Sequence, residues 1–495
     1  MMSREIGRRR IGVSISDRHA FTQTVYVSGG CYVSMDLQFF GAAGEVTGSL
    51  YVIRAGSYTV LLECGLIQGG AENEQRNSDP FPVSVNDIDA VILSHAHIDH
   101  SGRVPLLVKR GYSGPVFVQS ATKALCEIML PDSGYLNEKD AEWENRKRKR
   151  KGQTLIKPLY TLEDAEESLT LFQEAAYGDE VTVVPGLTLR FFDAGHILGS
   201  AIVELTYTDE NGSRTLVFSG DLGFRDAPVM DPPAVLPQAD AVLLESTYGD
   251  RLHRPFDDTI EELTAVFEAA RVGRGNVLIP AFTVGRTQDL LYLMAENYDR
   301  WNLDKWQIYL DSPMAIKATA VYAKFRHLYG VKLFGPDSNL PELPNFHQTL
   351  TPEESMRINE IESGAIIIAG SGMCSGGRIL HHLKNNVWRP ECHLMIVGFQ
   401  AYGTLGRRLV DGAETVKLFG EEFRVRCQLH TIGGLSAHGD QADLIAWYDA
   451  FQDRPPVYLV HGEPDAQQKL ARKMRVDLGA PVFIAERGQI IQVQR

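Results

Sequence analysis

At 495 residues with 44% hydrophobic content, the chain can fill large cores and should hold two or more globular units. Its formal charge of −14 describes solubility and long-range field rather than any one cleft, so a polyanionic substrate is not excluded. No stretch approaches the length of a transmembrane helix, and the six cysteines (Cys31, Cys64, Cys126, Cys374, Cys392, Cys427) form no C-x-x-C pair. The expectation is a soluble, cytoplasmic protein with no membrane partner, in which any metal rests on nitrogen and oxygen.

Residues 1–34 carry Arg8, Arg9 and Arg10 ahead of a polar stretch with no apolar h-region, which argues against a secretion signal. They read as a flexible extension, or as a translation start placed too early. The globular pattern begins at Met35. At Ala90 to Gly102 (AVILSHAHIDHSG) an apolar strand runs into three histidines and an aspartate packed within six positions. By the period-two rule His95 and His97 share one side of an extended segment, while Asp99 and His100 lie past the turn. Neutral imidazoles and a carboxylate suit a borderline ion such as zinc. Further along, Arg146 to Lys151 (RKRKRK) follows a predicted helix from Glu138 to Asn145, and a solvated helix end is the favoured reading.

Candidate ligands recur wherever apolar strands stop. LRFFDAGHILGSA places His196 after such a run, TLVFSGDLG does so for Asp221, and PPVYLVHGE for His461. A lone histidine in that position would be read as a hydrogen-bonded strand cap. Their recurrence points instead to one sheet edge where loops gather functional side chains. The arithmetic closes with two ions: one takes His95, His97 and His196, the other takes Asp99, His100 and His461, and Asp221 bridges them.

Through His95-Ala96-His97-Ile98-Asp99-His100 and its partners His196, Asp221 and His461, the chain resembles the metallo-β-lactamase superfamily. The resemblance implies an α/β fold, the αββα four-layer sandwich, with two Zn2+ per chain along one edge and Mn2+ as the alternative metal. Glu63, in LLECGL, stands where that family usually has Asp, one methylene longer beneath the His95 to His100 loop.

The long piece between Asp221 and His461 opens with AVLLESTYGDR, carrying Glu245, and closes with LHTIGGLSAHGD, carrying His438. Between them, NVLIPAFTVGRTQDLLYLM, QIYLDSPMA and AIIIAGSGMCSGGRILHHL each pair a short β-rich run with helix-like spacing, which predicts an inserted α/β domain. This arrangement is similar to the β-CASP nucleic-acid hydrolases, whose motifs A, B and C fall on Glu245, His438 and His461. Histidine at motif C accompanies the RNA-cleaving members. The expected division is 35–245 and 398–495 for the metallo-β-lactamase domain and 246–397 for the β-CASP domain.

The implied activity is hydrolysis of single-stranded RNA by metal-activated hydroxide, leaving 5′-phosphate and 3′-hydroxyl ends. Asp99, Glu245 and His438 are the expected catalytic residues, with His438 giving the leaving ribose oxygen its proton and Glu245 holding the other ring nitrogen. A structural Glu245–His438 pair pinning the insert is the competing reading. In the Gly-rich loop Gly370 to Gly377, Ser371, Gly372 and Ser375 are candidates to hold a backbone phosphate, with Arg286 adding a cation. A tight βα turn is the plainer account of that loop. Two other functions stay open: a glyoxalase II-like thioesterase with the same metal set, and a non-catalytic RNA-binding subunit. A homodimer is the assembly expected, on no particular sequence signal.

Overall fold

A computed structural model describes residues 35–494 apart from 332, 335–340, 342 and 399; the expected extension, 1–34, lies outside the described residues. The first sheet runs Ile490–Gln492, Met35–Phe39, Tyr51–Ala55, Tyr58–Leu62, Ala90–Ile92, Val116–Gln119, Phe172–Ala175. The second runs Val482–Ile484, Val457–Val460, Ala241–Glu245, Gly212–Phe218, Ala201–Asp209, Leu187–Asp193, Val181–Val184. Strand Met35–Phe39 alternates buried and half-buried positions, and its buried Leu37 and Phe39 meet Phe191, Val203, Phe218 and Leu243 of the facing sheet. Burying each such aromatic contributes about 2–3 kcal/mol.

Helices cover both outer faces. Trp447, Tyr448, Leu470 and Met474 of helices Gln441–Asp449 and Pro464–Leu478 pack on Val242, Leu244 and Leu459 of the second sheet. Leu107, Leu125 and Leu130 pack on Val52, Leu61 and Val91 of the first. The four layers expected from the sequence are present.

The helix expected at Glu138–Asn145 is the far part of a much longer one, Ser120–Arg150. Pro131 sits inside it and Gly134 lies flat on Thr161, where a Cβ would come within 2.6 Å of the Thr161 carbonyl oxygen. Proline and glycine read as a break in sequence, but packing against helix Leu162–Leu169 carries the helix through.

The inserted segment builds a third sheet of order Phe346–Gln348, Gln307–Leu310, Ala365–Ala369, Val277–Pro280, His393–Ile396, Gln428–Thr431, with every neighbouring pair parallel. Strand Ala365–Ala369 is buried along its whole length, as a parallel strand covered on both faces must be. Its last strand, Gln428–Thr431, lies beyond Val397, the expected end of the insert, so we propose that the insert returns at the loop after Thr431. The insert shares one apolar core with the first domain, and the Tyr322 hydroxyl accepts the Leu198 N–H at 3.2 Å across the junction.

Parallel strands place their carboxyl ends together. Tyr58–Leu62 and Ala90–Ile92 end on Glu63 and Ser94–His95; Gly212–Phe218, Ala241–Glu245 and Val457–Val460 end on Asp221, Glu245 and His461. Loops at such an edge form the natural cleft of an open α/β sheet. Among the described residues, no helix is long and apolar enough to cross a membrane.

Candidate metal centre and catalytic dyad

All seven expected ligands converge. His95 Nε2 and His196 Nε2 each lie 3.2 Å from His97 Nδ1, and His100 Nε2 lies 3.2 Å from His461 Nε2. A zinc–nitrogen bond of about 2.0–2.1 Å implies a tetrahedron edge of about 3.3 Å, so these spacings are those of imidazoles arranged around one ion rather than bonded to each other. Asp221 Oδ2 is 3.5 Å from His95 Nε2, 3.4 Å from His100 Nε2 and 3.7 Å from His196 Nε2, between the two groups. Asp99 Oδ2 completes the second group, 3.5 Å from His461 Nε2. Asp221 Oδ1 is buried with no hydrogen-bond partner among the described residues, and a cation held between the two groups would satisfy it.

Four of the five histidines have a partner on the outward ring nitrogen. His100 Nδ1 bonds Glu63 Oε2, His196 Nδ1 bonds the Ala437 carbonyl at 3.0 Å, His95 Nδ1 meets Ser94 Oγ at 2.9 Å, and His461 Nδ1 meets Thr247 Oγ1 at 3.0 Å. Such partners fix the tautomer that turns a lone pair inward. Burial lowers His95 and His196 well below the usual imidazole range and takes His97 to about 4, so all three are neutral at pH 7. His100 goes the other way: burial opposes its charge, but Asp221, Glu63 and Asp99 together outweigh that and raise it. Loading a metal therefore displaces a proton here.

Glu63, one methylene longer than the usual Asp, still supports the loop from His95 to His100. Its Oε1 accepts the Ser94 N–H at 2.6 Å and its Oε2 accepts the Ser94 hydroxyl at 3.1 Å while holding His100. Glu63→Ala is expected to weaken metal binding by about 10–100-fold, read by competition with a chelating dye, while the fold survives. Backbone strain accompanies the site: Glu63 (φ 66), His461 (φ 47) and Ala42 (φ 51) take left-handed conformations, and the His461 N–H donates to the Ala42 carbonyl at 2.7 Å. Such residues cost on the order of 1–3 kcal/mol each and persist where surroundings over-determine them.

Above the cluster, His438 Nδ1 meets Glu245 Oε1 at 3.1 Å. Glu245 also accepts the N–H groups of Leu222 and Thr247, and His253 Nε2 meets the His438 carbonyl at 2.9 Å. Burial opposes protonation of His438, yet Glu245, through charge and hydrogen bond, with Asp221 and Asp99, raises it to about 9. Cations on Asp99 and Asp221 would cancel those two contributions and leave that of Glu245.

The loop entering His196 holds a further titrating group. Asp193 is pushed up to about 7, first by burial and then by Asp231, against the Gly195 N–H it accepts at 2.8 Å. A raised carboxyl stabilises the fold fully below its unfolded pKa of about 3.9, and that stability is lost as pH rises through about 7. Asp193→Asn is accordingly expected to add up to a few kcal/mol at pH 8 and almost nothing at pH 4, measured by urea unfolding at both pH values.

The four expected substrate contacts lie on the insert. The loop of Ser371, Gly372 and Ser375 follows strand Ala365–Ala369 at its carboxyl end and precedes helix Ile379–Asn386. Part of its donor capacity is used internally: the Ser371 N–H bonds the Gly376 carbonyl at 3.1 Å, and the Ser375 N–H bonds Ser371 Oγ at 2.9 Å. Arg286 is only 5% exposed, and its Nη1 donates to Asp289 at 3.0 Å. Sequence reading missed Ser94, Thr247 and His253. Thr247 lies in the turn after strand Ala241–Glu245, where no strand period marks which way a side chain points.

Fold and site together define a metal-dependent hydrolase. Residues 43–125 match the metallo-beta-lactamase superfamily, 287–409 the Beta-Casp domain, and 422–485 the Zn-dependent metallo-hydrolase RNA specificity domain. Ribonuclease TTHA0252 of Thermus thermophilus is 38% identical over 92% of this chain and 99% of its own. Transcription termination factor FttA of Pyrococcus abyssi is 30% identical over 91% of this chain and 71% of its own. In fold alone, a protein of unknown function from Enterococcus faecalis V583 superposes with a TM-score of 0.53 at 13% identity, over 93% of this chain and 100% of that one. The chain belongs to the metallo-β-lactamase superfamily, in its β-CASP ribonuclease branch.

Proposed function

We propose that the protein hydrolyses phosphodiester bonds of single-stranded RNA, using two zinc ions held by His95, His97 and His196, by Asp99, His100 and His461, and by Asp221 between them. The observation that carries this reading is the Glu245–His438 pair set beside two adjoining groups of candidate ligands, in a chain 38% identical to a named ribonuclease along nearly its whole length. Bound there, the ions supply Lewis acidity, which brings the pKa of water toward neutrality and offsets charge developing on phosphorus.

The chain's own residues do the rest. His438 Nε2 gives its proton to the leaving 3′ oxygen, and Glu245 on Nδ1 holds the ring in the orientation and charge state for that transfer. Asp99, whose side chain is 22% exposed where that of Asp221 is 2%, faces the cleft and takes the proton of the attacking water. Ser371, Gly372 and Ser375 hold a phosphate of the strand at the insert's sheet edge through their hydroxyls and the Gly372 N–H. Arg286 adds a cation to the same groove, with its charge partly met by Asp289 at 3.0 Å.

Metal analysis, together with RNAs labelled at either end, single-stranded DNA and S-lactoylglutathione, tests the reading. About two zinc ions per chain and chelator-sensitive cleavage leaving 5′-phosphates are expected. Thioester hydrolysis without RNA cleavage would overturn it in favour of the thioesterase, and bound metal without turnover in favour of an RNA-binding subunit. Restoration by manganese alone would replace the zinc assignment.

A further inference from the structure

Helix Ser120–Arg150 starts at the site and ends far from it. Its first turn touches the loop that carries His196, with Thr122 Oγ1 donating to the Gly199 carbonyl at 2.6 Å, and its 31 residues run about 46 Å outward at 1.5 Å each. The inner face is buried through Leu130, Gly134 and Ala141. Across the outer face, every fourth residue forms a stripe: Tyr135, Lys139, Trp143, Lys147, Lys151. Both rings are open to solvent, Trp143 by 59% and Tyr135 by 48%, and each carries a lysine ammonium over it, Lys147 at 2.9 Å and Lys139 at 5.4 Å from the ring centre.

The run Arg146 to Lys151 adds charge alongside. Glu142 pairs with Lys139 and Arg146, and Glu144 with Lys147 and Arg148, but Lys149, Arg150 and Lys151 are exposed with no acidic partner within 4.0 Å among the described residues. In a chain of net charge −14, six consecutive cations beside two open aromatic rings are a local reversal of sign. Alternating rings and ammonium groups offer stacking faces for bases and counter-charges for phosphates, the combination used by single-strand platforms.

We propose that this stripe is a second contact surface for the RNA strand, outside the cleft, which captures long substrates and leaves the chemical step alone. The proposal rests on the RNA reading of the metal site. Its test compares the unaltered full chain with Trp143→Ala and with Lys147→Gln/Lys151→Gln on unstructured RNAs of about four and about 30 nucleotides, the shorter too small to span both surfaces. For the long RNA, KM is expected to rise about fivefold to tenfold at unchanged kcat, with both constants for the short RNA unmoved. Losing two phosphate contacts should also flatten the log–log salt dependence of long-RNA binding by about 1.4.

An unchanged KM for the long RNA, or equal changes for both lengths, would overturn the platform. So would variants that lose binding to phosphatidylserine vesicles and keep binding to RNA. Should the unaltered chain cleave neither RNA, the reading of the metal site fails on its own. The platform is then judged by fluorescence anisotropy of the labelled long RNA, where weaker binding by both variants supports it and equal binding rejects it.

Discussion

His438→Ala is expected to yield a folded protein that binds its full complement of metal and loses about two to four orders of magnitude in kcat on RNA. The His438 ring lies against two of the candidate ligands, 4.5 Å from the His196 ring and with Nδ1 4.0 Å from Asp221 Oδ2, but His196 Nδ1 is held by the backbone carbonyl of Ala437, and that bond survives truncation. What disappears is the proton donor, whose Nδ1 is already committed to Glu245 at 3.1 Å. A merely structural pair would behave differently with substrate chemistry. An RNA whose leaving oxygen is replaced by sulfur departs as a thiolate, which at a pKa of about 8.5 needs no acid. The variant should therefore recover most of its lost turnover on that substrate. Turnover of ordinary RNA within about twofold of the unaltered enzyme, or absence of rescue by sulfur, would remove His438 from the acid role. Glu245→Gln supplies the companion readout: with the carboxylate charge gone, the His438 pKa falls, and the alkaline limb of the pH profile moves to lower pH.

What the sequence alone makes legible follows the chain's hydrophobic grammar. AVIL before Ser94, TLVF before Ser219 and AVLLE ending on Glu245 are apolar runs too short for helices, and each delivers a polar residue at its carboxyl end. Because parallel strands end on one edge, counting such endings brought together the candidate ligands and Glu245, while His438 was assigned through the resemblance to the β-CASP hydrolases. The groups that hold those side chains leave no such trace in the sequence. The Ala437 carbonyl belongs to every residue type alike, and the left-handed turns at Glu63 and His461 are imposed by their neighbours. Tertiary packing also hid element lengths: Pro131 and Gly134 interrupt a helical pattern that helix Leu162–Leu169 nonetheless holds together. The extent of the insert was obscured for a similar reason. Strand Gln428–Thr431 has half-buried and exposed residues and a weak apolar signature, and only its pairing with His393–Ile396 brings it into the third sheet.

Asp221→Ala should have the largest effect of all, because that carboxylate is the one link common to both ligand groups. Its oxygens lie 3.4–3.7 Å from the ring nitrogens of His95, His100, His196 and His461, and burial would penalise its charge were those rings and a cation not there to offset it. Without it, two dications would face each other across neutral imidazoles and Asp99 alone, a repulsion that a low-dielectric site amplifies. Metal content is expected to fall to one ion per chain or less, and kcat by about three orders of magnitude or more. Stability gives an independent reading. A metal that binds only the native state adds about 2.7 kcal/mol at a hundred times its Kd, so the unaltered protein should melt at a higher temperature with metal than after chelation. The variant should show that increment reduced or absent, whatever the loss of the His100–Asp221 contact at 3.4 Å costs the chelated protein. Asp221→Asn, which preserves volume, covers the case in which alanine fails to fold. Full metal occupancy in either purified variant would show that the two groups hold their ions separately and that Asp221 bridges nothing.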